Sequence, residues 1–201
     1  KESTDTTHFS IIDKWGNAVS NTTTINYTFG SGVVVEGAGF LLNDEMDDFS
    51  AKAGVANGFG AIGGKANEIQ PKKRMLSSMA PTILLKDDRV SLVTGSPGGT
   101  TIISSVYQSI LNVTEFNMDA YQAVNSARFH HQLWPKDEIE HYAGINADVL
   151  KSLRQLGYKT VEHSFGELQL IYRQKETLQA VSESGGNSRG VSLIIDPFIE
   201  H

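Results

Sequence analysis

Cysteine is absent from this chain of 201 residues, so disulfides, thiolate nucleophiles and cysteine-type zinc sites are all excluded. A thiol-free composition fits any compartment and leans toward an exported bacterial protein. Positive charge is also scarce. Lys and Arg number 17 against 23 Asp and Glu, and the net charge of −6 argues against a general nucleic-acid binder. No apolar run approaches the ~20 residues that span a bilayer, and the residues after Lys1 do not read as a secretory leader. No internal repeat or long linker interrupts the sequence. What is there, 39% apolar and 20% charged residues, is the balance of a soluble globular domain with its own core.

The order of elements predicts an α+β fold. "THFSII" and "NAVSNTTTI" read as strands joined by "DKWG", and "GVVV" and "GFLLN" as short strands. From Asp47 to Pro71 the chain turns rich in Gly and Ala, the signature of a long surface loop of the lid or binding kind. "TILLKDDRVSLVTG" is a hairpin turning at Asp87 and Asp88. Helical spacing follows, with Ile102, Val106, Ile110 and Val113 on one stripe. Asn117 is expected to cap a second helix and Asn146 a third, which stops at Gly157. "YKTVE", "LQLIYR" and "LQAVS" read as closing strands. Strands, helices and strands again suggest sheets packed with helices in layers.

The first hairpin has a countable register. A loop "KWG" with Gly16 in the left-handed position pairs Asp13 with Asn17, and so places Thr6 opposite Thr24 and His8 opposite Thr22. Alternation then puts Thr6, His8, Thr22, Thr24 and Asn26 on one polar face, and Phe9, Ile11 and Ile25 on the other. Threonine suits strands for steric reasons alone. It can also act as a nucleophile when its own α-amine serves as base, which requires the residue to be chain-terminal. Thr6 would become terminal if the Asp5–Thr6 bond were cut.

Three further stretches carry chemistry. "NDEMDD" holds Glu45, Asp47 and Asp48, which read as a solvated acidic loop; a calcium loop would need a spacing that is missing. Ser77 and Ser78 precede Pro81 as turn residues, and neither stands in a nucleophile's relation to a His or Lys. "GSPGGTT" joins a strand to a helix, where Gly98 and Gly99 can aim backbone N–H groups outward; no Walker lysine follows to make it a phosphate loop. The His130–His131 pair cannot share a helix face, so the six histidines read as structural rather than as metal ligands.

Taken together, "TTHFSIIDKWGNAVSNTTTIN", "NDEMDDFSAKAG", "KRMLSSMAPTI" and "TGSPGGTTIISSV" resemble the small subunit of γ-glutamyltranspeptidase, an N-terminal-nucleophile hydrolase. The similarity runs from about Asp5 to Trp134 and more loosely to about Ser184; "SESGGNSRG" departs from the family's common ending. The resemblance implies a four-layer αββα sandwich shared between two subunits of one precursor, the small subunit contributing antiparallel sheets and helices. Residues 1–5 would be the tail of the large subunit and 6–201 the small, catalytic one. It implies Thr6 as nucleophile and agent of self-cleavage, Thr24 as its hydroxyl partner, and Gly98 and Gly99 as the oxyanion hole. Glu45 and Asp48 would take the donor's α-ammonium, and Ser77 and Ser78 its α-carboxylate. Asn26 would contact donor and nucleophile, and Phe59 would be the aromatic residue of the lid. An Arg from the large subunit would complete the carboxylate site. No metal or organic cofactor is implied. The implied substrates are small γ-glutamyl donors such as glutathione, with amino acids, peptides or water as acceptors, in the periplasm or outside the cell. A poly-γ-glutamate depolymerase or transpeptidase, a glutaryl β-lactam acylase, and a non-catalytic binding domain that never matures are the competing expectations.

Overall fold

The computed structural model describes residues 6–184 and 190–194. The chain opens with strands β1 (Thr6–Ile12) and β2 (Ala18–Thr24), paired antiparallel with Thr6 opposite Thr24 and His8 opposite Thr22, as the turn chemistry predicts. The Asp13 carboxylate accepts from the Trp15 and Asn17 amides at 2.9 Å each and from the Asn17 side chain at 2.8 Å, while Gly16 takes φ +90°. These bonds, the one from the Asn17 side chain foremost, hold the Asp13 carboxyl below its ordinary range.

A short ribbon, β3 (Val34–Val35) with β4 (Phe40–Leu41), leads into two single 3₁₀ turns, Glu45–Asp48 and Lys65–Asn67, that bracket the loop. The second hairpin is β5 (Thr82–Lys86) and β6 (Arg89–Gly95). Asp87 and Asp88 both adopt positive φ, 52° and 57°, the turn that matches the twist of the strands it joins.

Helix α1 (Thr101–Thr114) buries Ile102, Val106 and Val113, with Ile110 partly buried on the same stripe. Helix α2 (Ala120–Asn125) is capped by Asp119 and not by Asn117: Gln122 lies three residues on, and the two side chains satisfy each other's backbone amides. Asn117 instead adopts φ +54° in the turn between the helices. Beyond β7 (Phe129–His130) and β8 (Glu138–His141), α3 (Ala147–Gln155) has its cap at Asn146, as expected. The chain then forms β9 (Lys159–Glu162), β10 (Gln169–Gln174) and β11 (Thr177–Ser182).

The central sheet has the antiparallel order β11-β10-β6-β5. Its two faces arise from strand alternation. Leu92, Leu170 and Tyr172 turn toward α1 and α2, where Ile102, Val106, Val113, Ala120, Ala123 and Val124 complete the core. Gly95 turns the other way, and the β1–β2 hairpin covers that face. The His8 ring lies so close that a Cβ on Gly95 would come within 2.1 Å of it, and the Ser20 hydroxyl donates to the Thr94 carbonyl at 2.9 Å. Hairpin, sheet and helices make an α+β fold in which the described residues supply three layers, ββα, of a sandwich. A side sheet, β7-β8-β9, departs from the antiparallel expectation: β8 and β9 run parallel because α3 carries the chain back between them. The hairpin's outer face exposes Phe9, Ile11 and Val19, each 43–50% accessible.

Beneath the sheet edge lies a polar knot that the sequence did not announce. Arg128 is fully buried; its Nη2 donates to both Glu183 oxygens at 2.7 Å and to the Tyr142 hydroxyl at 2.6 Å, and its Nη1 donates to the Val124 carbonyl at 2.7 Å. The guanidinium also lies 4.5 Å over the Tyr142 ring, and burial pushes the Tyr142 hydroxyl up to about 12. Because Glu183 also accepts from the Leu168 amide at 2.8 Å, this ion pair pins the start of β10 to α2.

Candidate active site

The polar face of the first hairpin ends at a narrow cavity of about 50 Å³, room for a few waters. Thr6, Thr24, Asn26, Glu45, Asp48, Phe59, Ser77, Ser78 and Gly99 all line it. Nine of the ten residues singled out in the sequence therefore converge from four separate segments. The tenth, Gly98, is not part of the lining and directly precedes Gly99 in the chain. Asn57, Ala61, Leu76, Met79, Thr100 and Ile102 complete the wall without having been anticipated, since nothing in their types marks them as chemical. A broader surface depression over α2 is lined by Phe116, Met118, Tyr121, Gln122, Asn125 and Ser126, none of them an acid, base or strong nucleophile at neutral pH.

At one end of the cavity the Thr6 hydroxyl donates to Thr24 Oγ1 at 3.2 Å, and the same oxygen accepts from the Asn26 amide at 2.9 Å. Asn26 is buried, holds φ +76° and donates from its side chain to the Asp44 carbonyl at 3.3 Å, so it ties the end of β2 to the acidic segment. Two residues along β1, His8 is buried between the Thr22 hydroxyl at 2.8 Å and the Ser10 hydroxyl at 3.0 Å. Burial pushes its imidazole down to about 4, so it is neutral near pH 7.

The acidic segment divides its labour. Asp47 is structural: its Oδ2 accepts from the Tyr27 hydroxyl and from the Gly58 amide, both at 3.1 Å. Glu45 and Asp48 face the cavity together. Burial, then the neighbouring charges of Asp48 and Asp44, push the Glu45 carboxyl up to about 7; burial and Asp47 raise Asp48. Among the described residues no ion pair neutralises either, and Glu45 Oε1 is buried without a hydrogen-bond partner. Two crowded carboxyls with an unused acceptor are an arrangement that can take a cation bringing its own N–H donors.

Opposite them the chain passes from β6 into α1 through Gly98 and Gly99, at φ +132° and +56°. Side chains are excluded here by space as well as by conformation. A Cβ on Gly98 would meet the Thr101 hydroxyl at 2.6 Å, and one on Gly99 would meet the Phe59 ring at 3.0 Å. Their carbonyls accept from the Thr101 and Ile102 amides, while their own N–H groups make no hydrogen bond among the described residues. Phe59 roofs the cavity, stacked on Tyr27 at 5.3 Å and 7°. Among the described residues no group of three or more His, Asp or Glu gathers as a metal site, and no helix is long and apolar enough to cross a membrane.

The layered α+β sandwich, with a threonine at the head of its first strand, is the fold of the N-terminal-nucleophile hydrolases. The chain belongs to the gamma-glutamyltranspeptidase family, whose sequence profile matches residues 1–192. It is 52% identical over 196 residues to the glutathione hydrolase proenzyme of Pseudomonas aeruginosa, covering 96% of this chain and 35% of that protein. It is 49% identical over 171 residues to the glutathione hydrolase proenzyme of Escherichia coli, covering 85% and 29%. The gamma-glutamyltranspeptidase from Pseudomonas nitroreducens complexed with L-DON superposes with a TM-score of 0.87 at 50% identity, over 94% of this chain and all of the matched one. The chain thus spans about a third of the length of the curated relatives it matches.

Proposed function

We propose that this chain is the catalytic portion of a γ-glutamyl amide-cleaving enzyme, a glutathione hydrolase and γ-glutamyltransferase, in which Thr6 is the nucleophile once the bond from Asp5 is broken. Asp5 and the rest of segment 1–5 lie outside the described residues. The observation that carries the reading is the meeting, around one cavity, of the Thr6 hydroxyl, the paired Glu45 and Asp48 and the Gly99 backbone. A γ-glutamyl donor has matching parts: an α-ammonium, an α-carboxylate, and an amide three bonds further out.

In the proposed sequence Thr6 Oγ1 first attacks the Asp5 carbonyl. The Asp5–Thr6 C–N bond breaks, which frees the Thr6 α-amine and leaves an ester on Oγ1; water then hydrolyses that ester, releasing the Asp5 carboxylate and restoring the Thr6 hydroxyl. That amine then takes the proton from Thr6 Oγ1 as the oxygen attacks the donor's γ-carbonyl carbon. The N–H groups of Gly98 and Gly99 receive the oxyanion, and loss of one such donor typically costs ~2.7–4 kcal/mol of barrier. The C–N bond breaks, the leaving amine takes the proton, and a γ-glutamyl ester on Thr6 remains until water or an acceptor amine displaces it. Glu45 and Asp48 hold the ammonium, Ser77 and Ser78 the carboxylate, and Thr24 and Asn26 orient the nucleophile.

Each finer point has its own support. The roof at Phe59 favours small donors over a polymer threaded through the site. The exposed apolar face of the hairpin, and the chain's one-third share of its relatives' length, favour a large-subunit partner that supplies the fourth layer and the carboxylate-binding Arg. The compartment we infer is the periplasm or the extracellular space, on the family resemblance and the thiol-free composition.

The test uses the full-length protein. Intact mass and N-terminal sequencing should find a new terminus at Thr6, and Thr6→Ala should remain one chain and release no product from γ-glutamyl-p-nitroanilide. A wild-type preparation without that terminus would favour a non-catalytic domain. Preferential turnover of a γ-linked glutamate polymer or of a glutaryl-cephalosporin would reassign the substrate.

A further inference from the structure

The segment over the cavity is a preformed hook. Asn57 Oδ1 accepts from the Phe59 and Ala61 amides at 3.1 and 2.9 Å, and the Asn57 amide donates to the Ala61 carbonyl at 2.9 Å. At its base the hook hangs from Asp47, through the Gly58 amide at 3.1 Å and the Asn57 side chain at 3.3 Å. Its tip is held from elsewhere in the chain. Gln132 Nε2 donates to the Phe59 carbonyl at 3.2 Å from 73 residues away, and Gln132 Oε1 accepts from the Thr100 hydroxyl. A carbonyl can only accept, so the bond to Phe59 fixes which way the amide faces and leaves its oxygen for Thr100. The buried His130 ring backs that oxygen at 3.3 Å and is itself 2.8 Å from Ser104 on α1. Thr100 comes directly after Gly99, and the Phe59 ring rests against Gly99.

We propose that Gln132 is a positioning residue that clasps segment 57–61 over the cavity and, through Thr100, ties its closure to the placement of the Gly98–Gly99 turn. This rests on the function proposed above. With the clasp made, the cavity is about 50 Å³, so a γ-glutamyl group enters only when the segment swings and is retained when the clasp reforms. A donor bound at Glu45 and Asp48 would therefore be enclosed in the same movement that sets the oxyanion turn.

Trypsin tests this without reference to turnover, because the exposed Lys52 and Lys65 flank the hook and are cut faster the more often it opens. In the full-length protein, Gln132→Leu and Gln132→Glu should both speed cleavage at these sites by about three- to tenfold, the range spanned by one neutral hydrogen bond. Gln132→Glu keeps an acceptor for Thr100 and replaces the donor to Phe59 with a carboxylate oxygen, while Gln132→Leu removes the donor without adding charge, so an effect common to both is that of the lost clasp. Thr100→Val, which spares the bond to Phe59, should be cut within twofold of the wild-type rate. With γ-glutamyl-p-nitroanilide, both Gln132 variants should raise KM by a similar factor, and kcat should fall further in Gln132→Leu, which also loses the bond to Thr100, than in Gln132→Glu, which keeps it. Cleavage of Gln132→Glu at the wild-type rate would overturn the clasp. Faster cleavage with KM unchanged would overturn its role in holding the donor. If the wild type itself turned over no γ-glutamyl donor, the reading of function would fall while the tryptic comparison still decided the clasp.

Discussion

Glu45 provides the most direct quantitative test of the proposed ammonium site. Its carboxyl titrates at about 7 because it is buried beside Asp48 and Asp44 with no cation to offset them. A bound ammonium supplies that charge and returns the group toward the ordinary carboxylate range, so binding must release protons near neutrality. L-glutamate, which the proposed hydrolysis would release, is a suitable ligand because its α-ammonium stays charged across the range tested. A group with a pKa of about 7 is about one-tenth ionised at pH 6 and about nine-tenths ionised at pH 8, so affinity should rise roughly tenfold between them, or ~1.4 kcal/mol. Calorimetry at pH 7 in two buffers of different ionisation heat should find about half a proton released per glutamate bound. His8, at about 4, titrates below this window. Glu45→Gln should bind more weakly and lose most of the pH dependence. The same pH dependence in wild type and Glu45→Gln, with no proton released by either, would refute the assignment of Glu45 to the ammonium.

Three further perturbations probe the framework. Arg128→Met leaves the Glu183 carboxylate buried without its partner, which should cost about 3–5 kcal/mol in denaturant unfolding; a loss below 1 kcal/mol would mean that water reaches the site. Gly95→Ala forces a methyl into the His8 ring at 2.1 Å, and overpacking of this kind should destabilise by about 1–3 kcal/mol and displace the hairpin bearing Thr6, read as a lower melting temperature together with lower kcat. His8 is neutral in the fold down to about pH 4 but protonates near 6.5 when unfolded, so between these values the unfolded state binds more protons. Stability should fall as pH drops from 6.5 toward 4, and His8→Gln should flatten that part of the profile; an unchanged slope would move the acid sensitivity elsewhere.

Local rules made much of this molecule readable. The register of β1 and β2 was set by Asp13 and Gly16, because a hairpin's turn fixes its pairing. The stripe on α1 and the Asn146 cap of α3 were equally visible. Local cues misled at α2, where Asn117 and Asp119 are both capping types and only the partner Gln122 decides between them. The candidate site was legible where it rests on spaced motifs, from Thr6 to Gly99. Its walls were not, because Leu76, Met79 and Ile102 are ordinary apolar residues until the fold brings them to the cavity. The ion pair of Arg128 with Glu183 and the reach of Gln132 to Phe59 span 55 and 73 residues, and no periodicity encodes such distances.

The pairing of Thr6 with Thr24 bears on the fate of the chain end that a cut at the Asp5–Thr6 bond would create. New chain ends ordinarily fray, because nothing holds the first residues of a fragment. Here the residue that would become the end is paired at the head of a seven-residue strand, and its side chain already touches the neighbour it would need. A freshly made amine would appear at a fixed address, held by a ladder formed during folding, so maturation would change the chemistry of one atom without requiring the hairpin to find its place again.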